Sequence, residues 1–284
     1  MLEIRPARAE DKDEVLAFCQ GTFQWGDYVQ YVYDDWLSSK DGDLTVATVD
    51  GKPVALSHVA YLSPEEAWFE GLRVDPEFRR HGIAKAIGEY NRERTVSRGI
   101  KVGRALISSD NLASQTLSAR MGFTKVLDYQ GWKIEKPEFR SIEPYTVRKA
   151  VGEDMPRLLQ FMKEYDGSLI GWDWHVQQVS EYALKKALQD KALWVVELEE
   201  EVCCLSSVTF WPDDKDLDVM SYYSAKLKHV EALVQFFVNE HLLGHVAVLH
   251  VLLNSMQEPV SLGELGFERS AEALSGVWEL EVGG

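Results

Sequence analysis

The stretch WFEGLRVDPEFRRHGIA, residues 68–84, constrains this chain more than any other. Trp68–Val74 has the aromatic and β-branched content of a buried strand. Asp75-Pro76 breaks it, and from Ile83 onward the apolar spacing Ile83, Ile87, Tyr90 is helical. A strand that feeds a helix through Arg79-Arg80-His81-Gly82-Ile83-Ala84 leaves the first backbone N–H groups of that helix without intrahelical acceptors. With the positive end of the helix dipole, they make a place for a phosphate or pyrophosphate. Gly82 lets a ligand approach the backbone closely, and Ala84 keeps the following turn narrow.

The pattern Arg79-x-x-Gly82-x-Ala84, after a strand ending in Val74-Asp75-Pro76, resembles the acetyl-CoA loop of the GNAT acetyltransferases. Further on, Asn111-Leu112-Ala113-Ser114, Ser118 and Gly122-Phe123 resemble the second signature of that family. The two segments come in the family's order, each at a strand-to-helix junction, and the resemblance covers residues 1 to about 138. It implies an α/β fold with a mixed sheet and acetyl-CoA as cofactor. The cofactor contacts it implies fall on Leu72, Arg73 and Val74, on Arg79, Arg80, His81, Gly82, Ile83 and Ala84, and on Asn111 and Ser114. A backbone N–H near Leu72 or Val74 would polarise the thioester carbonyl. Asn111 also stands where a helix N-cap belongs, and both roles can hold.

Acetyl transfer to an amine needs a neutral amine, a polarised carbonyl and a proton for the leaving thiolate. Glu70 is the expected base. It lies nine positions before Arg79, the separation seen for the glutamate proposed as base in the similar spermidine/spermine acetyltransferases. A carboxylate within a strand of Trp, Phe, Leu and Val is expensive to bury unpaired, which itself hints at function. The alternative is an ion pair with Arg73 or another basic group. The family's second base position is filled by Trp68, which takes no proton. Where many relatives place a tyrosine as general acid, this chain has Ser118, whose hydroxyl is shorter and far less acidic. Either solvent protonates the thiolate, or Tyr129, His58 or Tyr90 reaches in. His58, in an apolar strand, otherwise reads as a hydrogen-bonded core histidine.

Taken in order, Leu2–Ala7 alternates like a strand, and Glu10–Gln20 and Tyr31–Leu37 read as helices. Leu44–Val49 and Val54–Tyr61 form a hairpin about Asp50-Gly51. After the strand and helix already described come a strand at Val102–Ser108, a helix at Asn111–Met121 and a last hairpin at Phe123–Glu135. The loop between the first two helices, with Trp25, Asp27 and Tyr28, borders the acceptor site if the resemblance holds, and Asp27 would hold an ammonium. With Asp35-Trp36-Leu37, this segment resembles the histidine N-acetyltransferase-like branch, which carries a fused second domain.

Residues 139–144 read as a linker, ending in Glu143-Pro144. From Tyr145 the pattern starts again. Tyr145–Val151 echoes Leu2–Arg8, Gly152-Glu153-Asp154 echoes Ala9-Glu10-Asp11, and Gly266-Phe267 echoes Gly122-Phe123. The expected architecture is therefore a tandem pair of acyltransferase folds, a cofactor-binding domain at 1–138 and a degenerate copy at 145–284. In the second copy the phosphate-loop position reads Ser224-Ala225-Lys226-Leu227-Lys228-His229, without glycine.

The net charge of −16 divides into −4 over residues 1–143, with 19 basic and 23 acidic side chains, and −12 over residues 144–284, with 11 and 23. A chain this acidic is a poor nucleic-acid binder and favours a cationic acceptor. Acidic surface is equally a route to solubility. No apolar run approaches a membrane span, the first residues lack a signal-peptide layout, and Cys19, Cys203 and Cys204 have neither disulfide nor metal spacing. A cytoplasmic location is expected. His241, His245 and His250 lack a ligand spacing, so no metal site is assigned. Trp172-Asp173-Trp174-His175 reads as a pocket wall or a domain contact.

These readings converge on an acetyl-CoA-dependent N-acetyltransferase acting on a small amine or amino acid. The alternatives are a protein or peptide N-acetyltransferase and a non-catalytic acyl-CoA-sensing module.

Overall fold

The computed structural model describes residues 1–22, 26–133, 141–165, 167–211, 216–224, 226–242, 249–254, 263 and 266–282. Trp25, the first part of the expected linker, Ala225 and His245 lie outside them. The chain forms two compact units, Met1–Lys125 with Trp278–Gly284, and Val126–Val277. The division thus falls ahead of the linker expected at 139–144, and the last seven residues, 278–284, return to the first unit.

The first unit runs β1 (Leu2–Pro6), α1 (Lys12–Cys19), α2 (Val29–Ser38), β2 (Gly42–Val49), β3 (Lys52–Tyr61), β4 (Glu66–Val74), α3 (Ile83–Ser97), β5 (Val102–Ser108), α4 (Leu112–Arg120) and the start of β6 (Thr124–Lys133). β1 to β4 pair antiparallel in sequence order, and β4 then meets β5 in parallel. Asp50 and Gly51, both with positive φ, close the β2–β3 hairpin as the Asp-Gly signal predicts. The two-residue period of β3 divides the helices between the faces. Leu56 packs with Val15, Val29 and Tyr33 of α1 and α2, while Ala55 packs with Ile83 and Ile87 of α3.

The expected hairpin at Phe123–Glu135 is instead one strand, β6. Gly131 opens no turn, because it stays in the ladder opposite Leu252. Gly122, with φ of 93°, ends α4, and the Phe123 N–H returns to the Ser118 carbonyl at 3.0 Å. Part of the second signature is therefore a helix C-cap.

The second unit repeats the order with β7 (Thr146–Lys149), α5 (Met155–Met162), the hairpin β8 (Leu169–Trp172) and β9 (His175–Gln178), α6 (Glu181–Gln189), β10 (Leu193–Leu198), β11 (Glu201–Trp211), β12 (Asp216–Tyr223), α7 (Leu227–Leu242), β13 (Leu249–Asn254) and β14 (Glu268–Glu281), whose end belongs to the first unit. Again one parallel pair, β12 with β13, interrupts an antiparallel run. Trp172-Asp173-Trp174-His175 is the β8–β9 turn, with positive φ at Asp173 and Trp174 as a type I′ hairpin requires.

Matching ion pairs mark the repeat at side-chain level. Arg5 forks onto Asp11 at 2.7 and 2.7 Å while the Arg8 N–H donates to Asp11 at 2.8 Å. Arg148 forks onto Asp154 at 2.7 and 2.8 Å while the Val151 N–H donates to Asp154 at 2.8 Å. Each module ties the first strand of its unit to the start of the next helix.

Candidate active site

β4 is interrupted twice where the chemistry is expected. On the β3 side the ladder runs from Tyr61↔Ala67 to His58↔Glu70, then resumes at Leu56↔Arg73. Gly71 and Leu72 therefore face the single residue Ser57, a β-bulge with Gly71 at φ of 66°. A bulged residue drops out of the ladder and leaves its backbone groups for another partner. On the other side β4 pairs with β5 only through Glu66–Trp68 against Val102–Arg104 among the described residues. For Phe69–Val74 no pairing with β5 is found among the described residues. Arg104, buried opposite Trp68, is held through Glu66 and through Glu279 at 2.8 Å.

Past β4, Asp75 caps the following turn by accepting the Glu77 N–H at 3.0 Å. Arg79, Arg80, His81 and Gly82 are exposed. Arg79 Nε donates to the Val74 carbonyl at 3.1 Å, drawing the loop against the strand end. Arg80 and Gly82 both have positive φ, 67° and 79°. The first helical hydrogen bond of α3 is Ala86 N–H to the Gly82 carbonyl, at 3.0 Å. The N–H groups of Ile83, Ala84 and Lys85 precede it and have no acceptor within the helix. A Cβ at Gly82 would meet nothing within 4 Å, so the backbone there is open to a ligand. The loop fits a pyrophosphate in charge, donors and access.

The face of β4 toward α1 and α2 carries Glu70. Its Oε1 accepts a hydrogen bond from His58 Nδ1 at 2.8 Å, the two residues being direct cross-strand neighbours. Trp36 of α2 stacks on the His58 ring, with centroids 4.4 Å apart and planes 10° from parallel. Tyr28 meets Trp36 edge-on at 5.9 Å, and the Arg73 guanidinium lies 5.2 Å over the Tyr28 ring. Burial pushes the Tyr28 phenol above its ordinary range; Arg73 opposes that shift and the nearby Glu70 charge adds to it.

Asp27 is 5% exposed, takes Arg73 Nε at 2.7 Å and Nη2 at 3.3 Å, and caps the Val29 N–H at 3.1 Å. Its charge is thus met by the guanidinium, where the sequence reading gave it a substrate ammonium. Trp68 is a core residue, 3% exposed. Asn111 caps α4 through Oδ1 to the Ser114 N–H at 3.1 Å, and Ser118 is half-buried in the last turn of that helix. Tyr129, offered as an acid, belongs to the second unit and is buried there, its phenol pushed up to about 12 by burial. The structure thus brings together Glu70, Tyr28 and Arg73 around His58, the partner that was assigned to the core. The signal that could have found it was hairpin register, since 58 and 70 face each other once Tyr61 is set opposite Ala67.

Residues 9–123 match the family model described as the acetyltransferase (GNAT) family. The N-terminal unit is a GNAT domain. Over 111 residues the chain is 31% identical to the histidine N-acetyltransferase of Oreochromis niloticus, a match covering 39% of this chain and 33% of that protein. The chain thus matches about a third of that relative's length. Among solved structures, a GCN5-related N-acetyltransferase from Sphaerobacter thermophilus superposes with a TM-score of 0.69 at 15% identity, over 99% of this chain and 96% of that one. A tandem GNAT protein from the clavulanic acid biosynthesis pathway superposes with a TM-score of 0.65 at 13% identity, over 100% and 99%. At these identities the likeness is one of fold, and it extends through the second unit.

That second unit keeps a bulge like that of β4, and the rest of the site is not repeated among its described residues. Its ladder runs from Trp211↔Asp216 to Val208↔Val219 and resumes at Ser207↔Ser221, with Met220 as the extra residue. Counted from the hairpin end, Val208 and Val219 hold the places of His58 and Glu70. Only residues 224–226 join β12 to α7, against 75–82 between β4 and α3. His229, in the first turns of α7, is turned back onto the Cys203 carbonyl at 3.0 Å.

Proposed function

We propose that this chain is an acetyl-CoA-dependent N-acetyltransferase that acetylates the primary amine of a small molecule or amino acid by direct attack, at one site in the N-terminal unit. The observation that carries the reading is Glu70, partly buried and held by His58 on a bulged strand that leads into the open Arg79–Ala84 loop. Acetyl-CoA, when bound, supplies the activated acyl group. Arg79, Arg80 and the first N–H groups of α3 hold its pyrophosphate. Phe69–Val74 of β4 pairs with an extended cofactor arm as an added strand would. The bulged backbone at Gly71–Leu72 donates to the carbonyl oxygen.

Glu70 accepts the proton of the incoming amine, directly or through water. No strong acid is required at Ser118, because a free thiol has a pKa near 8.5 and solvent protonates its thiolate at neutral pH at little cost. The relative's name puts free amino acids first among acceptors to test, and the chain's net charge of −16 agrees with a cationic one. The second unit, with a valine pair in place of histidine and glutamate and no room for a phosphate loop, binds no cofactor and serves to complete the fold.

Thiol release from acetyl-CoA, screened over free amino acids, polyamines and short peptides, tests this. One small amine should give turnover, and Glu70→Gln should lower kcat by about 10²- to 10⁴-fold with acetyl-CoA affinity unchanged. Turnover confined to peptides would move the acceptor class. Tight cofactor binding without turnover on any acceptor would replace the enzyme by a sensor.

A further inference from the structure

His58 is buried, 3% exposed, and makes its hydrogen bond through Nδ1. Its other ring nitrogen, Nε2, is buried with no hydrogen-bond partner among the described residues. That asymmetry fixes where the proton lies. At 2.8 Å one of the two atoms, Nδ1 or Glu70 Oε1, must carry a hydrogen. If the carboxyl carried it, the ring proton would sit on Nε2 as a buried N–H without an acceptor. An imidazolium would place a charged N–H in the same position. Both are worse than a bare Nε2 beside a charge-assisted Nδ1–H to carboxylate bond.

The surroundings hold the ring in that one pose. A Cβ at Gly42 would lie 2.6 Å from Nε2 and 3.2 Å from Cε1, so the unpartnered edge rests against the Gly42 backbone. Trp36 covers the ring face at 4.4 Å. Trp36 in turn lies over Gly71, where a Cβ would come within 2.8 Å of the indole. Two residues without side chains thus make room for the histidine–tryptophan stack, one under each ring.

We infer that His58 is a positioning residue for Glu70: it stays neutral, donates Nδ1–H to the carboxylate, and keeps that carboxylate ionised and in one orientation for the amine's proton. This rests on the reading of Glu70 as base. Among the described residues, the titratable and charged groups near Glu70 include Tyr28 at the start of α2 and, on β4 itself, Arg73, whose guanidinium is paired with Asp27. Trp36 contributes no charge. A neutral donor to a carboxylate lowers the carboxyl's affinity for protons, so removing the donor should raise it.

The test compares His58→Leu, His58→Asn and Glu70→Gln with the wild type in the thiol-release assay as a function of pH. His58→Leu should lower kcat about tenfold or more, leave the KM for acetyl-CoA unchanged, and move the acidic limb of kcat/KM up by about one pH unit. His58→Asn, which keeps an N–H donor near the Nδ1 position without a titrating ring, should stay within a few-fold of wild type with its limb unmoved. A wild-type limb in His58→Leu, or the same shift in both variants, would overturn the inference. If Glu70→Gln retains turnover, the base reading itself is wrong; if it loses turnover while His58→Leu keeps both rate and limb, only the role of His58 falls. Nitrogen NMR of histidine-labelled protein, with the His58 signals assigned by their loss in His58→Asn, reads the tautomer directly. A proton on Nδ1 of His58 is expected at neutral pH, and a proton on its Nε2 would refute the inference.

Discussion

Gly42 carries no chemistry, yet a methyl group there would stand 2.6 Å from His58 Nε2 and 3.1 Å from the Val59 carbonyl. The backbone oxygen cannot yield, so the ring must. Gly42→Ala should therefore cost about 1–3 kcal/mol of stability as overpacking and reduce turnover by loosening Glu70, read by thermal melting and by the same assay. Unchanged kcat in a folded, destabilised variant would show that Glu70 does not depend on where the ring sits. Single residues were unevenly legible. Glu70 stood out because an unpaired carboxylate in an apolar strand is costly. His58 did not, because its partner lies 12 positions away and only strand register brings them together. Asp27 was read as an anion for substrate, since nothing local announces that Arg73, 46 positions on, will take it.

Among elements, β4 decides the most. Gly71 sits in the left-handed region at φ of 66° with Trp36 packed over it, so any side chain there meets both backbone strain and the indole. Gly71→Ala should lose about 1–2 kcal/mol from the backbone alone, with more from the overlap. The expected outcome is a lower melting temperature together with weakened acetyl-CoA binding, by calorimetry, as the bulge relaxes. A variant that melts lower but binds normally would separate the bulge from the cofactor. The order of strands and helices through α4 was readable from period and turn chemistry, and Val102–Ser108 falls as expected. β6 was not, because a glycine inside a run of alternating residues signals a turn locally and the strand that overrides it, β13, comes from far along the chain.

At the scale of the whole molecule, both units rest on arginine–carboxylate modules whose acids are held below the usual carboxylate range. Arg148 does this for Asp154 and for Glu197; in Asp11, burial is the largest influence and pushes the other way, and the Arg5 side-chain bond, the Arg8 N–H and the charges of both arginines together outweigh it. A carboxyl with a depressed folded-state pKa contributes stability above its unfolded value, about 4, and loses it as pH falls through the folded one. The melting-temperature gap between wild type and Arg148→Met should accordingly be widest near neutrality and shrink below about pH 4. A gap constant through that range would mean the pairs do not govern acid tolerance.

The strand that closes the first unit has a consequence for how the protein is made. Leu280 and Val282 pack with Val59, Ala67, Ile100 and Phe123, and Glu279 reaches Arg104 where β4 and β5 pair. The 152 residues from 126 to 277 are translated between the body of the first unit and the segment that completes it. A ribosome adding about 5–20 residues each second thus holds the GNAT unit unfinished for on the order of ten seconds or more. Its nascent sheet must wait beside β5 through that interval, so a transcript cut short within the second unit yields a first unit still lacking its closing strand. Synthesis of the second unit becomes a timer on the first, whose closing strand is made only after those 152 residues.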